Sequence, residues 1–127
     1  MTEEELLVTV YDAFNRREID TVLASLHPEV DWPNGMEGGR ELGRDAVRAY
    51  WTRQWGMVDP NVKPVAMERE DDDRIAIRVH QVVRDLTGQV ILDQMIQHVY
   101  TFRDGLISRM EIRPAEQGRF GSENSAA

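Results

Sequence analysis

The stretch QHVYTFRDGLISRMEI, Gln97 to Ile112, decides how this chain folds. Asp104-Gly105 is the dipeptide of a tight two-residue hairpin loop, whose positions require positive φ. The flanking residues alternate with the period of a half-buried strand. Folding the strands back sets Phe102 opposite Ile107, Tyr100 opposite Arg109 and His98 opposite Glu111. A second hairpin precedes this one. Asp85-Leu86-Thr87-Gly88 has Asp first and Gly fourth, the pattern of a type I turn with a Gly bulge, so its loop holds three residues. Pairing Asp85 with Gln89 then sets Arg84 opposite Val90, Val82 opposite Leu92, His80 opposite Gln94 and Arg78 opposite Ile96.

On this register one sheet face collects Arg78, His80, Arg84, Gln94, His98, Tyr100, Arg109, Glu111 and Arg113 among apolar neighbours. The other collects Ile77, Val79, Val83, Val99, Met110 and Ile112. Both faces are substantially apolar, whereas a sheet covered on one side shows one clean polar face. The expectation is helices on one face and a second copy on the other, as a homodimer through the outer sheet face. The register at Asp85–Gly88 is the sensitive step, because a shift of one residue moves His80 and Arg84 to the opposite face.

The N-terminal half is helical. Thr2 and Glu5 match a capping box, and Leu6, Leu7, Val10, Tyr11 and Phe14 follow at helical spacing. Ile19, Val22, Leu23 and Leu26 make a short second helix that His27-Pro28 stops. Val30-Asp31-Trp32 is a short extended piece, and PNGMEGGRELG is a Gly-rich loop. A third helix spans about Arg44 to Trp55, with Val47, Tyr50, Trp51 and Trp55 on one stripe. Helices followed by long strands define an α+β fold, with the helices segregated to one face of the sheet. The expected organisation is a single domain over 1–114 and a polar, disordered tail over 115–127.

The chain has 127 residues, with 15 basic and 23 acidic side chains and a net charge of −8. Lys63 is its one lysine and the arginines are scattered. That balance argues against nucleic acid and anionic membrane as main partners, since phosphate binding needs clustered cations. With no cysteine, a disulfide scaffold, a thiolate nucleophile and a Cys-based zinc site are ruled out. No apolar run approaches the roughly 18 residues of a membrane span. MTEEELL is acidic where a secretory leader is basic, so a cytoplasmic location is expected.

The polar groups of the first face resemble the lining of a small-molecule pocket. His98 and Glu111 are its sharpest pair. A carboxylate fixes the tautomer of a neighbouring His and raises its pKa, which suits proton transfer near neutrality. The plainer reading is a cross-strand polar pair. Trp51 reads as core, and Trp55 as core or as a stacking wall. His80 reads as half-buried or as lining the site, while Arg84, Arg109 and Arg113 are solvated strand ends or anion contacts. The three His show no metal-ligand spacing, and no GxSxG, Walker or GxGxxG motif is present. Neither metal nor cofactor is expected.

Three segments carry a family resemblance: VYDAFNRREIDTVLASLHPEVDW, GRDAVRAYW and the terminal hairpin HVYTFRDGLISRMEI. Over residues 3 to 113 the chain resembles the SnoaL-like branch of the nuclear-transport-factor-2-like superfamily. The resemblance implies a strongly curved sheet forming a cone around a pocket, often in a homodimer. Relatives include steroid isomerases, polyketide cyclases, scytalone-type dehydratases, epoxide hydrolases and pure binding modules, and fold alone does not choose among them. The isomerase needs a Tyr in the first helix, an Asp base after the second and an Asp in the penultimate strand. Ungapped alignment places Val10, Asn34 and His98 there, with Tyr11 turned about 100° from the required position.

The resulting expectation is a pocket for a small apolar molecule of carbonyl type. Trp32, Asn34, Tyr50, Trp55, His80, Arg84, Gln94, Tyr100 and Arg109 would bind it, with His98 as acid/base and Glu111 as its orienter. The chemistry would be cofactor-independent isomerase, cyclase or dehydratase-like catalysis. The alternatives are a non-catalytic binding module and a dimerisation domain with a filled cone.

Overall fold

The capping box forms as written: Thr2 Oγ1 accepts the Glu5 N–H at 3.0 Å and Glu5 Oε1 accepts the Thr2 N–H at 2.7 Å. It opens α1 (Glu3–Asn15), which buries Leu7, Val10, Tyr11 and Ala13. Helix α2 (Ile19–Ala24) buries Val22 and Leu23. Helix α3 (Arg44–Trp55) buries Val47, Tyr50 and Trp51. This computed structural model describes residues 1–115, so the expected tail lies, from residue 116 on, outside the described residues.

Strands β1 (Leu26–Pro33), β2 (Arg40–Leu42), β3 (Val58–Asp71), β4 (Arg74–Asp85), β5 (Val90–Arg103) and β6 (Leu106–Pro114) build one six-stranded sheet, ordered β2-β1-β6-β5-β4-β3. Only β1 and β6 run parallel; the other neighbours are antiparallel. The architecture is α+β: a curved, open mixed sheet with three helices packed on its inner face. The core lies between them, around Leu7, Leu26, Trp51, Ile75, Ile77 and Tyr100.

Three local features differ from the sequence reading. The second helix stops at Ala24 and β1 already includes His27-Pro28, because Leu26 pairs with Ile107 and the Ile107 N–H donates to Ser25 O at 3.0 Å. The Gly-rich loop contains β2, paired to β1 through Asp31, Trp32 and Pro33. Strand β3 begins before Pro60 and runs through Pro64. It tolerates both because it is an edge strand, where a missing N–H need not break a ladder.

The decisive difference is in register. Both loops close as the sequence dictates. Asp85 N–H donates to Gln89 O at 2.8 Å, Gly88 N–H donates to Asp85 O at 3.0 Å, and Arg84 pairs with Val90. Asp104 and Gly105 take φ of 56° and 76°, and Phe102 pairs with Ile107. Just beyond each loop, however, one strand carries one extra residue. Val83 pairs with Leu92, leaving Ile91 over; Thr101 pairs with Arg109, leaving Ser108 over. Such bulges bend a strand and increase its twist. They also reverse the parity of every later pair.

His98 consequently pairs with Ile77 on one side and Ile112 on the other, and Tyr100 with Ile75 and Met110. Glu111 pairs with Val99 and faces outward, so the expected His98–Glu111 pair does not exist. His80, Arg84 and Arg109 move to the outer face with it: His80 pairs with Met95 and Arg109 with Thr101, which alternate with the inward Gln94, Ile96 and Tyr100, and Arg84 follows the inward Val83. Ile77, Val79, Val83, Met110 and Ile112 take the inner positions. With this register the inner face is apolar and the outer face polar, which removes the two-apolar-faces argument for a second copy.

Gly88 has φ +96°, and a Cβ added there would meet nothing within 4 Å. Gly88→Ala therefore tests backbone strain alone. It should lower unfolding free energy by about 1 kcal/mol in urea titrations, with an unchanged slope; a change near zero would show that the loop does not need this conformation.

Candidate functional site

Between the helices and the inner sheet face lies a cavity of about 560 Å³. The alternative of a filled cone is thus not found, and the expected pocket is. Its walls are apolar: Val10, Phe14 and Val22 from α1 and α2, Trp51 from α3, and Val62, Val83, Ile96 and Met110 from the sheet. Its rim is also apolar, with Met36, Ile91, Leu92 and Ile112 each 40% exposed or more. The aromatic frame is rigid. Trp51 meets Trp32 edge-to-face at 5.3 Å and Phe14 at 5.4 Å, an arrangement that ring quadrupoles favour.

The deep polar group is His98, brought by the alternation of β5 to the inner face and buried. Its Nδ1 lies 2.7 Å from the hydroxyl of Tyr11 on α1, and the Tyr100 hydroxyl donates to that of Tyr11 at 3.0 Å. The tautomer is set by the direction of this chain, Tyr100 being the donor. Tyr11 accepts from Tyr100, so its own proton goes to His98 Nδ1, and the ring carries its proton on Nε2. That Nε2–H has no partner among the described residues. The Tyr11 and His98 rings also stack, 8° from parallel with centroids 6.0 Å apart.

Electrostatics agree with a neutral chain. Desolvation by burial lowers the His98 pKa from 6.5 to about 4, because an imidazolium is penalised where water is excluded. Burial, and after it the neighbouring Tyr100, push the Tyr11 hydroxyl well above its usual range; burial likewise raises Tyr100. The sequence expectation of a raised His pKa is reversed, since no carboxylate contacts the ring. A neutral Nε2–H is suited to hold a ligand carbonyl oxygen and to stabilise charge developing on it.

A second polar group sits on α3. Tyr50 is buried, and its oxygen accepts from Gly35 N–H at 3.1 Å and Gln54 Nε2 at 3.3 Å. At the rim, Gln94 Nε2 donates to Gln81 Oε1 at 2.8 Å. Of the expected site residues, Trp32, Tyr50, Gln94, His98 and Tyr100 line the cavity together. The others are elsewhere.

Asn34 is buried but organises the loop: its Oδ1 accepts the Met36 and Glu37 N–H groups and its Nδ2 donates to Glu37 and Glu41. Trp55 packs on Phe14 and Trp51 with the Arg17 guanidinium over its ring at 5.1 Å, outside the lining. His80 pairs with Asp93 at 2.7 Å on the outer face, and Arg84 is exposed there. Arg109 donates to Asp31 and stands 3.7 Å from Glu111, also outside. Among the described residues no cluster of His, Cys, Asp or Glu is arranged to hold a metal ion, and no helix is long and apolar enough to cross a membrane.

Three polar lining residues were missed: Tyr11, Gln54 and Gln81. Tyr11 lies on the apolar stripe of α1, and a polar tip on a buried stripe was signal enough; the ungapped alignment set it aside. Gln54 follows Tyr50 by one helical turn, a spacing that puts both on one face.

Comparison with known proteins places this geometry. The SnoaL-like domain family matches residues 7–110, and the chain belongs to that family. No functionally curated protein matches it. Among solved structures, TerC co-crystallised with polyporic acid is 27% identical, covering 87% of this chain and 88% of that one, with a TM-score of 0.76. A nuclear-transport-factor-2-like protein of unknown function from Burkholderia pseudomallei K96243 is 27% identical over 89% and 90% of the two chains, with a TM-score of 0.78. A putative polyketide cyclase from Xanthomonas campestris pv. campestris is 26% identical over 87% of each, with a TM-score of 0.72.

The neutral His98 has a pH signature. The folded ring resists protonation down to about pH 4 while the unfolded ring accepts a proton near pH 6.5, so this residue's contribution to stability falls as pH drops through that window. The full loss, on the order of 3 kcal/mol, is complete below the folded pKa. In nitrogen NMR the ring should stay the neutral Nε2–H form at neutral pH and titrate near 4 in the folded protein. A midpoint near 6.5 would refute the buried relay.

Proposed function

We propose that the cavity binds an apolar small molecule of carbonyl type, with His98 Nε2–H as the group that meets the carbonyl oxygen. The observation that carries this reading is the proton count along Tyr100, Tyr11 and His98, which leaves one donor free in an apolar chamber. Tyr11, rather than Glu111, is the orienter. Donation to a carbonyl oxygen lowers the pKa of the adjacent C–H and stabilises the enolate that isomerisation, cyclisation and dehydration share. The reaction needs no cofactor. The names of the relatives agree with such a ligand: one structure holds polyporic acid and another protein is called a putative polyketide cyclase.

A specific observation favours a second reading, a binding module without chemistry. None of the cavity-lining residues is a carboxylate, and a His with a pKa of about 4 is a weak base. The two readings part on 2-tetralone, an apolar ketone with exchangeable α-protons. The enzyme reading expects saturable binding, α-deuteration in heavy water well above the buffer rate, and loss of that exchange in His98→Ala with the fold retained by circular dichroism. Saturable binding with no exchange above buffer establishes the binding module instead. No binding at all overturns both.

The proposal extends to assembly and place: a cytoplasmic homodimer, with the second copy on the outer sheet face and neither nucleic acid nor membrane as partner. Support comes from the apolar side chains still open on that face, Val65 at 57% exposure with Val82 and Met95 half-buried, and from the net charge of −8. Sedimentation equilibrium should return the mass of two chains, and Val65→Asp should halve it. A wild-type protein that sediments as one chain overturns the dimer.

A further inference from the structure

Strand β5 runs on past the end of its partner. Its last pair with β6 is Ile96 with Pro114, so residues 90–95 have β4 on one side and, among the described residues, no strand on the other. Val90, Ile91 and Leu92 there are 47%, 57% and 40% exposed. An exposed apolar run with unpaired backbone groups is a template for a further strand. The outer edges of the sheet are guarded against this: β3 carries Pro60, Lys63 and Pro64, and β2 is only three residues long. Residues 90–95 contain neither proline nor lysine. A groove of about 430 Å³ lies along the open edge, between residues 94–96 and 112–115.

The chain itself supplies an occupant. It leaves β6 at Ala115, whose carbonyl accepts from Gln97 Nε2 at 3.0 Å, and continues through residues 116–127. Because Pro114 stands opposite Ile96, an antiparallel continuation would set Glu116 opposite Gln94, Gly118 opposite Leu92 and Phe120 opposite Val90. That spacing matches the patch, since Phe120 is the one large apolar side chain after Ile112. Alternation would put it on the side of Ile96 and Ile112, both of which line the cavity. Arg119 would fall on the other side, diagonal to Asp93, whose side chain is 60% exposed. A second copy suits this edge less well: pairing β5 with its twin would bring two Asp93 carboxylates together in a protein of net charge −8 per chain. We propose that residues 116–120 extend β6 along the open edge of β5 and seat Phe120 on the apolar rim of the cavity.

Amide hydrogen exchange followed by NMR tests the pairing, on the full chain and on a chain ending at Ala115, each at a low and a high protein concentration. Alternate amides of residues 90–95, those turned away from β4, should exchange roughly tenfold slower in the full chain. The Phe120 ring should show nuclear Overhauser contacts to the methyls of Leu92 or Ile112. Phe120→Ala in the full chain should remove most of the protection. Equal exchange in the full and shortened chains overturns the proposal. Protection that the shortened chain keeps, and that rises with concentration, also overturns it and assigns the edge to a second copy. Should the shortened chain fail to fold, Phe120→Ala decides alone: unchanged exchange in that variant, with no contact from the wild-type ring, overturns the docking.

Discussion

Two single-residue bulges, at Ile91 and Ser108, decide which side chains this molecule encloses. Each lies two pairs beyond a tight hairpin loop, and each shifts the pairing by one. Without them Arg78, His80 and Arg84 from β4, and Arg109, Glu111 and Arg113 from β6, would share the inner face with His98. Charge of that density against Trp51 and Leu7 would have to be desolvated, and ionised groups do not tolerate this unless paired. With them, the inner face receives Ile75, Ile77, Val79, Met110 and Ile112. The added twist also curves the sheet, so that it wraps the helices rather than lying flat.

The same constraint explains why the buried polar cluster is neutral. A His98–Glu111 pair inside the cavity would have placed two charges where water is scarce. The observed partners of His98 are phenols. In the chain from Tyr100 to Tyr11 to His98 each group gives one proton and no charge separates. Such a chain satisfies buried atoms at little electrostatic cost and leaves one donor for a ligand. The outer face carries the ionic pairs instead: His80 with Asp93, Arg109 with Asp31, and Arg113 with Glu70 at 2.5 Å.

What the sequence discloses follows from the range of each interaction. Alternation within one strand is local, so Gln94, His98 and Tyr100 could be assigned to one face of β5 from their spacing alone. The capping box, the α3 stripe and both loop types are equally local. Bulges are not. Ile91 sits in a Val-Ile-Leu run and Ser108 between Ile107 and Arg109, and neither carries a residue type that marks an insertion. Each arises where the curvature demanded by helix packing meets the strand, a tertiary effect. The parity errors at His80, Arg84, Arg109 and Glu111 share that one cause. Asn34 and Trp55 were misplaced for a different reason: a short polar side chain in a Gly-rich loop first satisfies its own backbone, and a Trp at a helix end packs on its neighbours Phe14 and Trp51.

The cavity itself needs a physical account, because a void of about 560 Å³ forgoes the packing that stabilises a domain of this size. Collapse is opposed by the stiffness of its walls. Trp32, Trp51, Phe14 and Trp55 brace one another through edge-to-face and stacked contacts between 5.3 and 6.0 Å. The relay ties α1 to β5 across the cavity floor, and Tyr50 ties α3 to the loop at Gly35. Relaxing any wall inward would break a buried hydrogen bond or an aromatic contact with no replacement partner. Stiffness of this kind favours ligand binding, since a chamber held open does not have to be reorganised when it is filled. His98, one of the groups that tie the walls together, also lines the cavity, so support and recognition meet in one side chain.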